Sequence, residues 1–220
     1  MNDNDLWLSL WRDRDTAFHQ RKVNSLLIRF WTELKLPRRS RILVPLCGKS
    51  LDMIWLSQQG HEVIGVELSP LAVKTFFKEN HIKPSRKRDG QLTLWKHGRL
   101  SIYCGDLFQL QPEQLGRIDA IYDRAALTAL PAGLRGAYIE HLQHLTGKHS
   151  PALLLTTEDR QQNESDQHFQ GIDTELSLLC ATRYRINLQH FEAAYPGQEK
   201  NLSQGDTDAL NKVYRLTPLD

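Results

Sequence analysis

The residues best placed to do chemistry stand where apolar runs end. Glu67 closes the run Val63-Ile64-Gly65-Val66, nineteen residues after Gly48. Asp106 follows the run Leu-Ser-Ile-Tyr-Cys that ends at Cys104, and Asp123-Arg124 follows Ile-Asp-Ala-Ile-Tyr, which ends at Tyr122. Open α/β sheets bind their ligands outside the carboxyl ends of the strands, so polar groups at strand ends are candidate site residues. A carboxylate such as Glu67 can accept both hydroxyl protons of a ribose; its structural alternative is a helix cap or a surface charge. Arg124 is a fixed cation with a planar fork of donors. Near a thiol it would favour the thiolate, and near a carboxylate it would anchor it. The alternative for Arg124 is a surface pair with Asp123. Cys47 is a nucleophile by type and His19 a base by type. No His or Asp is placed by the sequence to activate Cys47, so it reads as packing, and a lone His such as His19 more often makes a structural hydrogen bond.

The elements that must hold these groups begin with Arg41 to Pro45, a short apolar run suited to a buried parallel strand. Leu46-Cys47-Gly48 turns the chain. Ser50 is positioned to cap a helix carrying Leu51, Ile54 and Trp55 at helical spacing, and Gly60 to end it. Glu62 to Glu67 is the second strand. The turn between them has one glycine, not the G-x-G-x-x-G needed to bring backbone amides up to a pyrophosphate. Gly48-Lys49-Ser50 resembles part of a P-loop, but the glycine required at position 43 is Leu43. A ribose-containing ligand without phosphate fits better, and S-adenosyl-L-methionine is the commonest such cofactor.

Before the first strand, Leu6, Trp7, Leu10 and Trp11 form the apolar stripe of a short amphipathic helix. It either caps the sheet or folds over the ligand mouth. Ser25 to Leu36 reads as a helix closed by Pro37. Ser69-Pro70 opens another, with Ser69 as cap, that ends near Asn80. Residues 83–90 carry four cations in six positions and read as a solvated loop rather than a nucleic-acid patch. Gln91–Trp95 and Arg99–Cys104 form a hairpin, and Ile118–Tyr122 and Pro151–Thr157 are further strands. Gly133–Thr146 and Thr174–Ala181 read as helices. Arg183–Leu188 and Lys212–Leu216 form a closing antiparallel pair.

The chain has 220 residues, 25% charged and 40% hydrophobic, with net charge +2. That suits one domain with a substantial core, in which 1–36 form an N-terminal helical cap and 37–220 a Rossmann-like core. No apolar run is long enough to span a membrane, and no signal-peptide pattern opens the chain. Cys47, Cys104 and Cys180 are odd in number and widely spaced, which suits a reducing, cytoplasmic setting and offers no metal-binding spacing. The expectation is a monomer without membrane or nucleic-acid partners.

TAFHQ, ILVPLCGKSLDM, GHEVIGVE and YDRAAL, in that order along the chain, together resemble the thiopurine S-methyltransferase family of class I S-adenosyl-L-methionine-dependent methyltransferases. The resemblance runs from about Trp7 to Pro131 and more loosely beyond. It implies an α/β Rossmann-like fold, three layers α/β/α, with a mostly parallel seven-stranded sheet and an antiparallel edge strand. It implies cofactor contacts at Trp11, Leu46, Gly48, Glu67, Asp106, Leu107 and Arg124. Asp106 and Leu107 fall at the adenine edge, although Asp106 could instead cap the following turn. Phe18 borders the acceptor pocket, and Arg124 is the candidate catalytic group. The implied reaction moves a methyl group to a small aromatic thiol and leaves S-adenosyl-L-homocysteine. Rival expectations are selenium or tellurium acceptors, a cofactor-binding protein without thiopurine turnover, and, third, a nucleic-acid methyltransferase. The chain departs from the family around Asp166-Gln167-His168-Phe169, where a lid segment is usual, and offers Lys200 where an arginine is common.

Overall fold

The computed structural model describes residues 3–16, 18–147, 149–159, 171–194 and 209–219. The 160–170 part of the expected lid and Lys200 lie outside the described residues.

Among the described residues nine strands form one sheet in the order β3-β4-β5-β2-β1-β6-β7-β9-β8. They are β1 (Arg41–Val44), β2 (Glu62–Glu67), β3 (Ser85–Asp89), β4 (Leu92–His97), β5 (Leu100–Cys104), β6 (Ala120–Arg124), β7 (Ala152–Asp159), β8 (Tyr184–Ala193) and β9 (Ala209–Pro218). The central five, β5-β2-β1-β6-β7, are parallel. Antiparallel strands flank them on both sides. The expected class holds, and the sheet is wider than seven strands, with antiparallel pairing at both edges. One added strand is β3, in the segment expected to be a loop. Its residues Ser85, Arg86, Lys87 and Arg88 are exposed, so no apolar alternation marked it. Charged side chains on an edge strand guard it against pairing with another chain.

Alternation along the central strands splits the core into two layers, as a sheet covered on both faces requires. Leu43, Ile64, Ile121 and Leu154 pack on one face, against α5 (Pro112–Leu115), α6 (Ala126–Ala129), α7 (Ala132–Thr146) and α8 (Ile172–Cys180). Ile42, Val63, Ala120 and Leu153 pack on the other. That face is covered by α2 (Ser25–Phe30), the 3-10 turn Trp31–Leu34, α3 (Asp52–Gln58) and α4 (Pro70–Glu79). The helix expected over 25–36 therefore tightens into a 3-10 turn after Phe30.

Local caps set several boundaries. The Ser69 side chain accepts from Ala72 N ahead of Pro70, as expected. Asn24 accepts from Leu26 N and Leu27 N to start α2. The cap position of α3 is Leu51 rather than Ser50; the Ser50 hydroxyl accepts from Asp52 N at 3.2 Å. Ahead of all these, α1 (Asp3–Asp13) carries the tryptophan stripe. No helix among the described residues is long and apolar enough to cross a membrane.

Candidate active site

The sheet's topological switch point lies between β1 and β6, because the chain runs from β1 outward through β2 and later returns to β6 on the other side. The turn after β1 and the end of β6 flank it. Cys47 N donates to Val66 O at 2.9 Å, which pins the turn to β2. Leu46 and Gly48 both adopt left-handed backbone, at φ 44° and 53°. Glycine carries that conformation without strain, and a Cβ at Gly48 would also stand 3.2 Å from the Trp11 ring. The floor of the turn is thus pressed against α1.

Glu67 is held by two backbone amides and faces the pocket. Its Oε2 accepts from Gly48 N at 2.8 Å and its Oε1 from Ser69 N at 2.7 Å, so it braces the turn and the start of α4. Only 6% of the residue is exposed. Burial pushes its carboxyl up to about 7, against the pull of the Ser69 and Gly48 N–H groups. Each oxygen has a second lone-pair direction beyond its backbone bond. A buried carboxylate held on two amides with acceptor capacity left over fits the two hydroxyls of a ribose.

Asp106 caps the next turn, accepting from Phe108 N at 3.0 Å with Oδ1, while its Oδ2 accepts from Asn4 of α1 at 3.4 Å. Leu107, 3% exposed, follows as an apolar wall. At the end of β6, the two neighbours part. Asp123 turns into the core, where it accepts from Tyr138 Oη at 2.7 Å and Ala126 N at 2.9 Å. Burial pushes its carboxyl up to about 6. Arg124 faces the pocket and donates through Nε to Asp52 Oδ2 at 3.0 Å. The alternative of an Asp123–Arg124 surface pair is therefore not what the fold contains. Asp52 was missed in the sequence because it reads as an ordinary first-turn carboxylate of α3.

The aromatic side of the pocket comes from the N-terminal segment. Trp7 and Trp11 each meet Phe18 edge-on, with ring centroids 5.5 Å apart. Trp11 is buried, whereas Phe18 is 43% exposed. His19 is half-buried, and burial followed by the nearby Lys49 charge holds its imidazole below the usual range. Cys47 is 7% exposed, and burial and then the Glu67 charge push its thiol far up. It packs in the core, as expected.

The eight residues that the family resemblance assigns to the cofactor or acceptor, Trp11, Phe18, Leu46, Gly48, Glu67, Asp106, Leu107 and Arg124, line one pocket. Its empty volume is about 1020 Å³, part of it open to solvent. Trp7, Ser50 and Phe108 join them there. The tryptophan stripe signalled the first, and Ser50 was marked only as a helix cap; Phe108 had no sequence signal of its own.

The chain matches the family description Thiopurine S-methyltransferase (TPMT) over residues 2–218. A protein named thiopurine S-methyltransferase from Stutzerimonas stutzeri (strain A1501) is 49% identical over 216 residues, covering 98% of this chain and 91% of that one. Another of that name, from Bordetella petrii, is 41% identical and covers 97% and 98%. Among solved structures, a SAM-dependent methyltransferase from Anabaena variabilis ATCC 29413 superposes with a TM-score of 0.67 at 16% identity, covering 100% of this chain and 96% of that one. A magnesium protoporphyrin IX methyltransferase from Synechocystis PCC 6803 with bound SAM gives 0.63 at 14%, covering 99% and 97%. At such identities the structural likeness is one of fold.

Proposed function

The chain belongs to the thiopurine S-methyltransferase family and is an S-adenosyl-L-methionine-dependent methyltransferase, and from that premise we propose that its acceptor is the sulfur of a small aromatic thiol. When bound, the cofactor supplies a methyl group made electrophilic by its sulfonium, and it leaves as S-adenosyl-L-homocysteine. The chain's own task is then positioning, because the reacting bond is already activated.

In this reading Glu67 accepts the ribose hydroxyls beside the Gly48 turn. Leu46, Asp106 and Leu107 border the adenosine, and Trp11 closes over it. Phe18, edge-on to two tryptophans and itself partly exposed, offers a flat apolar surface to an aromatic acceptor. The Arg124 guanidinium favours the thiolate of that acceptor over the thiol, which supplies the nucleophile without a dedicated base. His19, held neutral, is not needed to take the proton. The observation that carries the reading is the meeting in one pocket of a buried carboxylate, an aromatic wall and the Arg124 side chain.

Purified protein incubated with 6-mercaptopurine and S-adenosyl-L-methionine should yield the S-methyl purine, read by mass spectrometry. No product from a panel of aromatic thiols, in a preparation that still binds S-adenosyl-L-homocysteine, would remove the thiol acceptor while leaving methyl transfer standing.

A further inference from the structure

We propose that Asp52 is the positioning residue for Arg124, a carboxylate that holds one edge of the guanidinium so that the other edge serves the acceptor. The inference rests on the reading of Arg124 given above. Asp52 is 1% exposed. Its Oδ2 accepts from Arg124 Nε at 3.0 Å and from Tyr122 Oη at 2.9 Å, and its Oδ1 accepts the Asn24 backbone N–H at 2.8 Å. A carboxylate at that depth is tolerable only with donors of this kind around it. Three donors from two elements converge on it: the cap of α2, and the middle and last residues of β6.

The geometry divides the guanidinium in two. Nε is committed to Asp52, and Nη2 lies 3.4 Å from the Ser50 hydroxyl, a weak contact. Among the described residues Nη1 has no protein acceptor, and the side chain, 19% exposed, lines the pocket. An arginine has five N–H donors in a rigid fork, so fixing one edge fixes where the other presents its donors. A lysine at 124 would bring a single ammonium nitrogen on a flexible stem, so holding it at Asp52 would not present a second, fixed edge to the acceptor. The second oxygen of Asp52 adds a further consequence. It holds Asn24, where the segment carrying Phe18 and His19 enters α2, so the aromatic wall and the arginine are registered against the same carboxylate.

The test is a double-mutant cycle of Asp52→Asn and Arg124→Ala, with kcat and KM measured for 6-mercaptopurine across pH. Each single variant should lower kcat/KM by about tenfold to a hundredfold, the range of a hydrogen bond to a charged group. Asp52→Asn should also move the acidic limb of the kcat profile, which reports ionisation in the bound complex, to higher pH, because a mis-set guanidinium no longer favours the thiolate. In the Arg124→Ala background, Asp52→Asn should add less than about threefold. Losses that multiply in the double variant, or an acidic limb that stays in place, would overturn the assignment and leave Asp52 a purely structural residue. Full kcat/KM in Arg124→Ala would sink the role of Arg124 and this inference with it, while thiol methylation itself stood. If Asp52→Asn does not fold, Arg124→Lys on an intact Asp52 decides. It should lose nearly as much as Arg124→Ala, and retained activity would refute the two-edged use of the fork.

Discussion

Lowering the pH from 8 to 6 should weaken cofactor binding through one side chain, Glu67. Its carboxyl titrates at about 7 because burial outweighs the two backbone N–H groups that it accepts. Only the ionised form offers two acceptor oxygens to a ribose, so protonation and cofactor compete. With a midpoint of about 7, the ionised fraction falls about tenfold between pH 8 and pH 6, and affinity for S-adenosyl-L-homocysteine should fall with it. The same titration acts with opposite sign on the unliganded fold. A carboxyl raised above its ordinary 4.5 contributes stability that is present below that value and lost as pH rises through about 7. At about 1.4 kcal/mol for each pH unit, the cost of holding the charge at pH 8 is about 3 kcal/mol, an upper figure because the buried group relaxes. The assay is calorimetric titration of S-adenosyl-L-homocysteine from pH 6 to 8, on the wild type and on Glu67→Gln. The variant should bind about 10- to 150-fold more weakly at pH 8, equivalent to about 1.5–3 kcal/mol, and should lose the pH slope. A wild-type affinity that is flat across this range, or a variant with the same slope, would refute the argument.

Two further outcomes follow from packing. Gly65→Ala in β2 would put a Cβ 2.6 Å from Cys47 Sγ and 2.8 Å from Met53 Cε; thermal unfolding should show a loss of about 1–3 kcal/mol, the usual cost of overpacking. Cys47, buried and with its thiol pushed far up, should react with iodoacetamide in the native protein much more slowly than in urea, as mass spectrometry of the alkylated peptide would report.

Much of the site was legible because its determinants are local. Ser69-Pro70 announced a helix start, and the structure has it there, since a cap is decided by residues within one turn. Glu67 and Arg124 could be singled out because each ends a strand of the parallel sheet, and Asp106 because it follows one by two residues, where the chain must turn at the ligand-bearing edge. The lone glycine at 48 is explained twice over, by its left-handed φ and by the Trp11 ring across from it, but only the first was foreseeable.

What the sequence could not show is what each polar side chain chooses as its partner. Asp123 and Arg124 are neighbours in the chain, yet strand alternation sends them to opposite sides. Asp123 goes inward to Tyr138, and Arg124 goes to a carboxylate 72 residues away. The strand Ser85–Asp89 was hidden because an edge strand with solvated faces needs no apolar alternation; its pairing with β4 is a tertiary fact. The amino-acid order by itself determined the βαβ frame, the single-glycine turn after the first strand, and the strand ends where polar side chains gather, because periodicity, caps and glycine turns act over a few residues. Only the tertiary structure decided that Asp52 meets Arg124, that α1 lies on the Gly48 turn, and that Glu67 is buried deeply enough to titrate near neutrality. Those depend on which surfaces are brought together and how much water is left between them.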